Sequence, residues 1–390
     1  MKYYLLLFLT LATLLSACSD TALPAPTAPL AGQPIPGQYI VVLATPELSA
    51  QSAQDFELSV SSVAADLGVQ ATTPLRVING FLAENVGDAA LRQLRNDDRV
   101  AYVEQDQTVT VSAVQSNATW GLDRINQRSL PLDGAYRYGT SAPKVTAYII
   151  NTGIRSSHDE FGGRVVGGVT TIGDGLGSSD CNGHGTHVAG TVGGSTYGVA
   201  KGVKLFAVRV LDCAGSGSNS GVIAGVDYVT FNHQKPAVAN MSLGGGASRA
   251  LDDAVAKSIR AGVTYAVAAG NENQNACNTS PARVGSALTV GATTKEDGRA
   301  SFSNYGSCVD LFAPGAGITS AWFTTDSSTN TISGTSMAAP HVAGAAALYL
   351  QRYPGASPRT VAYRINRNST KGAVGGVNGS PNRLLFKGRW

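Results

Sequence analysis

From residue 113 to residue 390 the chain alternates strand-like apolar runs with segments of helical pattern. The runs 145–150, 203–210, 237–242 and 263–268 are apolar on both faces, and helix candidates stand at 221–231 and 249–261. A strand that can show neither face to water needs a layer above and below it. Strands joined through helices run parallel. The expectation is one α/β unit over 113–390, a three-layer arrangement with a parallel sheet between helices. Ligands of such sheets bind at the carboxyl ends of the strands, so chemistry is sought there. Hydrophobic residues at 43% supply a large core and exclude wholesale disorder. A net charge of +3 is too balanced for a chain that wraps nucleic acid.

The first 112 residues read as three shorter pieces. Lys2 precedes an apolar run over 3–15 that ends in small residues, the pattern of a secretory signal peptide over 1–17. Leu15-Ser16-Ala17-Cys18 resembles a bacterial lipobox, which makes Cys18 the candidate lipidation site and the chain an exported, extracellular or cell-envelope lipoprotein. Residues 18–36 are Pro-rich and read as a tether. Residues 37–112 follow the order β-α-β-β-α-β of a small ferredoxin-like α+β sandwich. Its strands fall at 39–43, 75–78, 81–86 and 100–103, its helices at 48–67 and 89–94, and Asn79-Gly80 marks a hairpin turn.

Setting Cys18 aside from the five cysteines leaves Cys181, Cys213, Cys277 and Cys308. In an exported chain, four cysteines without CxxC spacing point to two disulfides and not to zinc. The spacing alone leaves three pairings open.

Three segments carry residues suited to nucleophilic catalysis. Asn182-Gly183-His184-Gly185-Thr186-His187 sets His184 between glycines at a helix start. Gly334-Thr335-Ser336-Met337-Ala338-Ala339-Pro340 sets Ser336 at the start of an Ala-rich helix. Ile149-Ile150-Asn151-Thr152-Gly153 ends an apolar strand in a polar residue and a turn. A serine hydroxyl is a weak nucleophile unless a base takes its proton, and a helix N-terminus favours developing negative charge.

Together and in this order the three segments resemble the subtilisin-like serine proteases, in particular their proteinase K branch, over the whole of 113–390. The resemblance implies a subtilisin-like fold and a broad-specificity serine endopeptidase, working as a monomer on protein and peptide substrates with an apolar or aromatic preference. It makes Ser336 the nucleophile, His184 the general base and the side-chain amide of Asn271 an oxyanion donor. Gly215, Ser216 and Gly217 then flank an extended substrate opposite Ser242, Leu243 and Gly244, and Ala269 and Gly270 help wall the pocket. It pairs Cys181 with Cys213 and Cys277 with Cys308. It implies calcium at Asp310, with the carbonyls of Gly285 and Ala287, and a weaker site near Asp123, Asn126, Gln127 and Asp133. It also implies that residues 37–112 are an inhibitory propeptide, cut after Ser112 by the enzyme itself.

Asn151 departs from the family pattern, which has aspartate there. Asparagine matches the shape but carries no charge, and its NH₂ is expected to donate to the histidine and fix the wrong tautomer. Three readings stay open: a slow protease, a peptide-binding protein that keeps the cleft, or a weakened variant of an active enzyme.

Overall fold

The computed structural model describes residues 34–44, 53–107 and 113–388. Cys18, the signal segment, most of the tether and the cut after Ser112 lie outside the described residues.

The N-terminal unit runs β1 (Pro34–Leu43), α1 (Ala53–Asp66), β2 (Gln70–Leu75), β3 (Gly80–Glu84), α2 (Asp88–Asn96) and β4 (Val100–Gln107). Its sheet has the order β2-β3-β1-β4, antiparallel throughout. Val41, Phe56, Val60, Phe81 and Leu94 form its own core. Several boundaries differ from expectation, β4 among them, which continues to Gln107 where the expected strand ends at 103. The first strand begins at Pro34, inside the stretch read as tether, where Pro34 pairs with Gln107. Of residues 75–78 only Leu75 lies in a strand, as the last residue of β2; Arg76–Ile78 wind into a 3-10 turn that leaves Val77 fully exposed. The apolar pair Val77-Ile78 imitates a strand, while the real one is the polar Gln70–Leu75.

The larger unit begins with β5 (Ala113–Ser116), α3 (Trp120–Asn126), β6 (Ala135–Tyr138), β7 (Thr146–Asn151), β8 (Val165–Thr170), α4 (His184–Gly193) and β9 (Lys204–Arg209). It continues through α5 (Asn219–Asn232), β10 (Ala237–Met241), β11 (Gly245–Gly246), α6 (Arg249–Ala261), β12 (Thr264–Ala268), β13 (Thr279–Ser280), β14 (Leu288–Thr293) and β15 (Leu311–Pro314). It closes with β16 (Ile318–Ala321), β17 (Thr329–Ile332), α7 (Thr335–Arg352), α8 (Pro358–Asn368), β18 (Thr370–Lys371) and β19 (Arg383–Leu384). Nine strands share one sheet in the order β18-β19-β15-β14-β12-β10-β7-β9-β8. It is parallel except for the edge strand β18, which runs antiparallel.

Period-two alternation sorts the strand side chains into two cores. Ala147 and Ile149 of β7 join the core that contains α4 and α7, while Tyr148 and Ile150 join the one that contains α5 and α6. The strand order turns back at β7: β8 and β9 lie on one side, β10 and the later strands on the other. A crevice opens at such a reversal, outside the carboxyl ends of the strands. Asn151 stands there.

Candidate active site

Asn151 closes β7 and is fully buried; His184 opens α4. The two elements meet where only glycine fits, since a Cβ on Gly185 would stand 2.1 Å from the Gly153 carbonyl oxygen. This contact sets Asn151 Oδ1 2.7 Å from His184 Nδ1. The Thr152 backbone N–H donates to the same Oδ1 at 2.9 Å, and Asn151 Nδ2 donates to the Ser242 carbonyl at 3.4 Å. These neighbours choose the amide orientation. Rotated by half a turn, its NH₂ would face an N–H and its carbonyl would face a carbonyl. Because Oδ1 can only accept, Nδ1 of His184 carries the proton and Nε2 is left as the base. The expected tautomer inversion therefore does not occur; what the amide lacks is charge. Burial holds His184 below the ordinary histidine range, with the Asp180 carboxylate opposing the shift.

Ser336 lies in the first turn of α7, where backbone N–H groups have no partner within the helix. Pro340, four residues on, has no N–H to give to the Ser336 carbonyl. Ser242 Oγ donates to that carbonyl instead, at 2.7 Å, and is itself held by Asn240 Nδ2 at 2.8 Å. The Ser242 carbonyl in turn accepts from the Ser336 hydroxyl at 3.4 Å, the distance at which it also takes the Asn151 amide. One atom thus ties the hydroxyl to the group behind the imidazole. Among the described residues no hydrogen bond joins Ser336 Oγ to His184. In ligand-free sites this bond is commonly long and tightens around substrate.

Asn271 follows the end of β12. Its Oδ1 accepts from Thr335 N at 2.8 Å and from Thr335 Oγ1 at 2.9 Å, which leaves Nδ2 to face the space beside Ser336. A Cβ at Gly334 would stand 3.6 Å from Ser336 N and 3.7 Å from Asn271 Nδ2. Two donors therefore flank one space that glycine keeps open, the geometry that holds a developing oxyanion.

Two residues that sequence reasoning missed organise these parts. Buried Asn304 spends both ends of its amide on the Asn271 loop: Oδ1 accepts from Glu272 N (3.1 Å) and Gln274 N (2.9 Å), and Nδ2 donates to Ala269 O (3.0 Å) and Glu272 Oε2 (2.8 Å). Buried Asp180 gathers the backbone at the start of α4, at Gly183 and Thr186. Neither belongs to a spacing pattern, so only the folded contacts reveal them.

Gly215, Ser216 and Gly217 line one cleft with His184, Ser242, Leu243 and Gly244. An adjoining pocket shares Leu243 and Gly244 and is lined by Ala268, Gly270, Asn271 and Ser336. Two expectations need correction here. Ala269 is fully buried and lines neither space; its carbonyl is bound beneath the loop by Asn304. Glu272 also lines the second pocket, so the space to which the resemblance assigns an apolar or aromatic preference has an acidic residue in its lining. The disulfides join Cys181 to Cys213 and Cys277 to Cys308, the pairing that the resemblance implies.

The cation-site candidates divide by chemistry. Asp310 Oδ2 accepts from Thr289 N at 2.9 Å, Oδ1 accepts from Asn366 Nδ2 at 3.5 Å, and burial raises its pKa. It lies beside Thr289, two residues beyond Ala287, and forms no ion pair among the described residues. Asp123 Oδ2 accepts from Gly134 N at 2.6 Å, but among the described residues its buried Oδ1 has no partner. Burial and the nearby Asp133 carboxylate both push the Asp123 pKa up. A buried carboxylate oxygen with nothing bound to it, or a carboxylate with an open side, is a donor set that suits a hard cation. Asn126 contributes less, because its Oδ1 is taken by Arg137 N at 3.1 Å.

Comparison with known proteins agrees with this geometry. Residues 106–383 match the family model described as the subtilase family, Peptidase_S8. The chain is 56% identical over 394 residues to "Extracellular serine proteinase" of Thermus sp. (strain Rt41A), covering 95% of this chain and 96% of that one. It is 52% identical over 363 residues to "Alkaline serine exoprotease A" of Vibrio alginolyticus, covering 90% of this chain and 67% of the relative. A crystal structure of a cold-adapted subtilisin-like serine proteinase matches with TM-score 0.68 and 58% identity, over 70% of this chain and 99% of that one.

Proposed function

The chain belongs to the subtilase family, and from that premise we propose that it is an exported serine endopeptidase, slowed by the neutral amide behind its histidine. The observation that carries this reading is the meeting of Ser336 N and Asn271 Nδ2 beside Gly334, next to a His184 held with Nε2 unprotonated. Ser336 Oγ attacks the scissile carbonyl carbon and its proton passes to His184 Nε2. Ser336 N–H and Asn271 Nδ2 hold the resulting oxyanion. His184 returns the proton to the leaving amine, and water then hydrolyses the acyl-enzyme by the same steps in reverse. Asn151 keeps the ring in place but cannot balance its positive charge.

The segments 215–217 and 242–244 pair with substrate through backbone groups, which are indifferent to side chains and favour broad specificity. Leu243 and Ala268 give the pocket an apolar wall, with Glu272 also in its lining. Asn271→Ala is expected to lower kcat about 10²–10³-fold with little change in KM. Steady-state hydrolysis of a fluorogenic peptide measures it, and an unchanged kcat removes Asn271 from the mechanism.

Residues 37–112 are read as the propeptide that occupies the cleft until it is cut after Ser112, and Cys18 as the lipidated first residue after export. One intact-mass series on purified precursor reads both assignments: a fragment ending near Ser112, and a Cys18 terminus heavier by its acyl groups. Calcium is proposed at Asp310 and at Asp123, with the exposed Asp133, which is paired with Arg137, beside the latter; there it would neutralise carboxylates whose pKa burial raises and support stability. Chelation is expected to lower Tm, and Asp310→Asn to shrink that drop. A Tm indifferent to chelator contradicts both sites.

A further inference from the structure

We propose that Asp180 is a positioning residue that supplies the counter-charge for the His184 imidazolium which the amide at position 151 cannot. The inference rests on the protease reading and names the group that keeps a neutral-amide site working.

Asp180 lies in the loop that enters α4, and its side chain is buried. Oδ1 accepts from Thr152 Oγ1 at 2.9 Å, Asn182 N at 3.0 Å and Gly183 N at 2.9 Å. Oδ2 accepts from Thr186 N at 2.8 Å and Thr186 Oγ1 at 2.6 Å. All five donors are neutral, and Asp180 forms no ion pair among the described residues. A charge buried without a partner is costly, so its place one step from the general base calls for a reason.

The position of His184 supplies one. It opens α4, at the positive end of the helix dipole, where a cation is disfavoured. Asp180 sits on the N–H groups of that same end, at Gly183 and Thr186, and its negative charge opposes the dipole there. It also reaches the ring through a short chain: the Thr152 hydroxyl donates to Asp180, and the Thr152 N–H donates to the Asn151 Oδ1 that accepts from His184. In relatives with aspartate at position 151 this contribution is secondary. With asparagine there, Asp180 is the carboxylate left to act.

The other charged groups around the site are committed elsewhere, Glu272 by accepting from Asn304 Nδ2 at 2.8 Å. Arg209, at the end of β9, pairs with Asp174, and Arg155, in the turn after β7, pairs with Asp326. His187, on the next turn of α4, and His341, on α7, are held neutral by burial, each with a pKa of about 4. Among these groups only Asp180 opposes the effect of burial at His184.

The test compares Asp180→Asn in the parent chain and in the Asn151→Asp background, reading kcat/KM against pH and the titration of ¹³C-labelled His184. In the parent, Asp180→Asn is expected to cost about tenfold in kcat/KM and to move the His184 midpoint down; with aspartate at 151 the cost falls to about two- to threefold. A purely structural role would lower Tm and leave the midpoint where it was. Equal losses in both backgrounds with an unmoved midpoint overturn the inference. Should Asp180→Asn not fold, Asp180→Glu keeps the charge and must keep the midpoint; a midpoint that drops despite the charge overturns it too. The titration needs no turnover, so it decides the matter even if Asn151→Asp proves no more active than Ser336→Ala. That result would defeat the protease reading separately.

Discussion

Replacing Asn151 by aspartate is expected to raise kcat about 10²–10³-fold on a peptide substrate, with KM little changed. The size follows from what is missing. Opposite unit charges about 4 Å apart at an effective dielectric of about 20 attract by about 4 kcal/mol, and each ~1.4 kcal/mol is tenfold in rate. Desolvating the new carboxylate returns part of that gain. The gain stays short of the roughly 10⁴ lost when an amide at this position also inverts the tautomer, because Thr152 N–H and the Ser242 carbonyl already fix the amide with its oxygen toward the ring. The pH profile should move as well. Activity needs neutral His184, and burial depresses its pKa, so the acid limb of the parent lies below the ordinary 6.5. A carboxylate favours the imidazolium, so Asn151→Asp shifts that limb to higher pH. The same substitution should speed the cut after Ser112. A gain under tenfold, or an acid limb that moves down, contradicts the assignment of lost charge as the defect.

The second large effect depends on background. Ser336→Ala should cost about 10⁶ in kcat when residue 151 is aspartate, but only about 10³–10⁴ in the parent chain. Serine, histidine and aspartate act as one unit, so removing a member costs most when the unit is whole. The parent already lacks one member's charge, and what survives Ser336→Ala is the residual rate from the oxyanion donors and substrate binding. Kinetics of the four chains, with and without each change, measure it. Equal losses in the two backgrounds would mean that Asn151 and Ser336 do not belong to one mechanism.

Most of the site-bearing fold was legible because burial on both faces writes itself into a strand. Residues 145–150 and 263–268 had to be central, and they are β7 and β12 within a residue. The helix at 249–261 appears with those bounds, closed by Gly262 in the left-handed region at φ 114. The nucleophile, base and oxyanion amide were legible through motifs that set a reactive group between small residues. The parts that escaped are those whose role exists only after folding. Asn304 and Asp180 are single polar residues in loops, and their partners come from distant backbone N–H and C=O groups. The orientation of the Asn151 amide escaped for the same reason, since it is decided by Ser242, ninety-one positions away in sequence. Glu272 escapes sequence reasoning because it lies in the loop beyond the strand-end walls at 268–270, which carries it back into the pocket lining.

The charge-only account is tested most directly by the protonation of the His184 ring, read from ¹⁵N chemical shifts and one-bond couplings in histidine-labelled protein at a pH above its titration. A proton on Nδ1, with Nε2 bare, is the result that Asn151 Oδ1 requires. A proton on Nε2 would mean that the amide points its nitrogen at the ring, and the slow, correctly poised protease described above would be the wrong description of this chain.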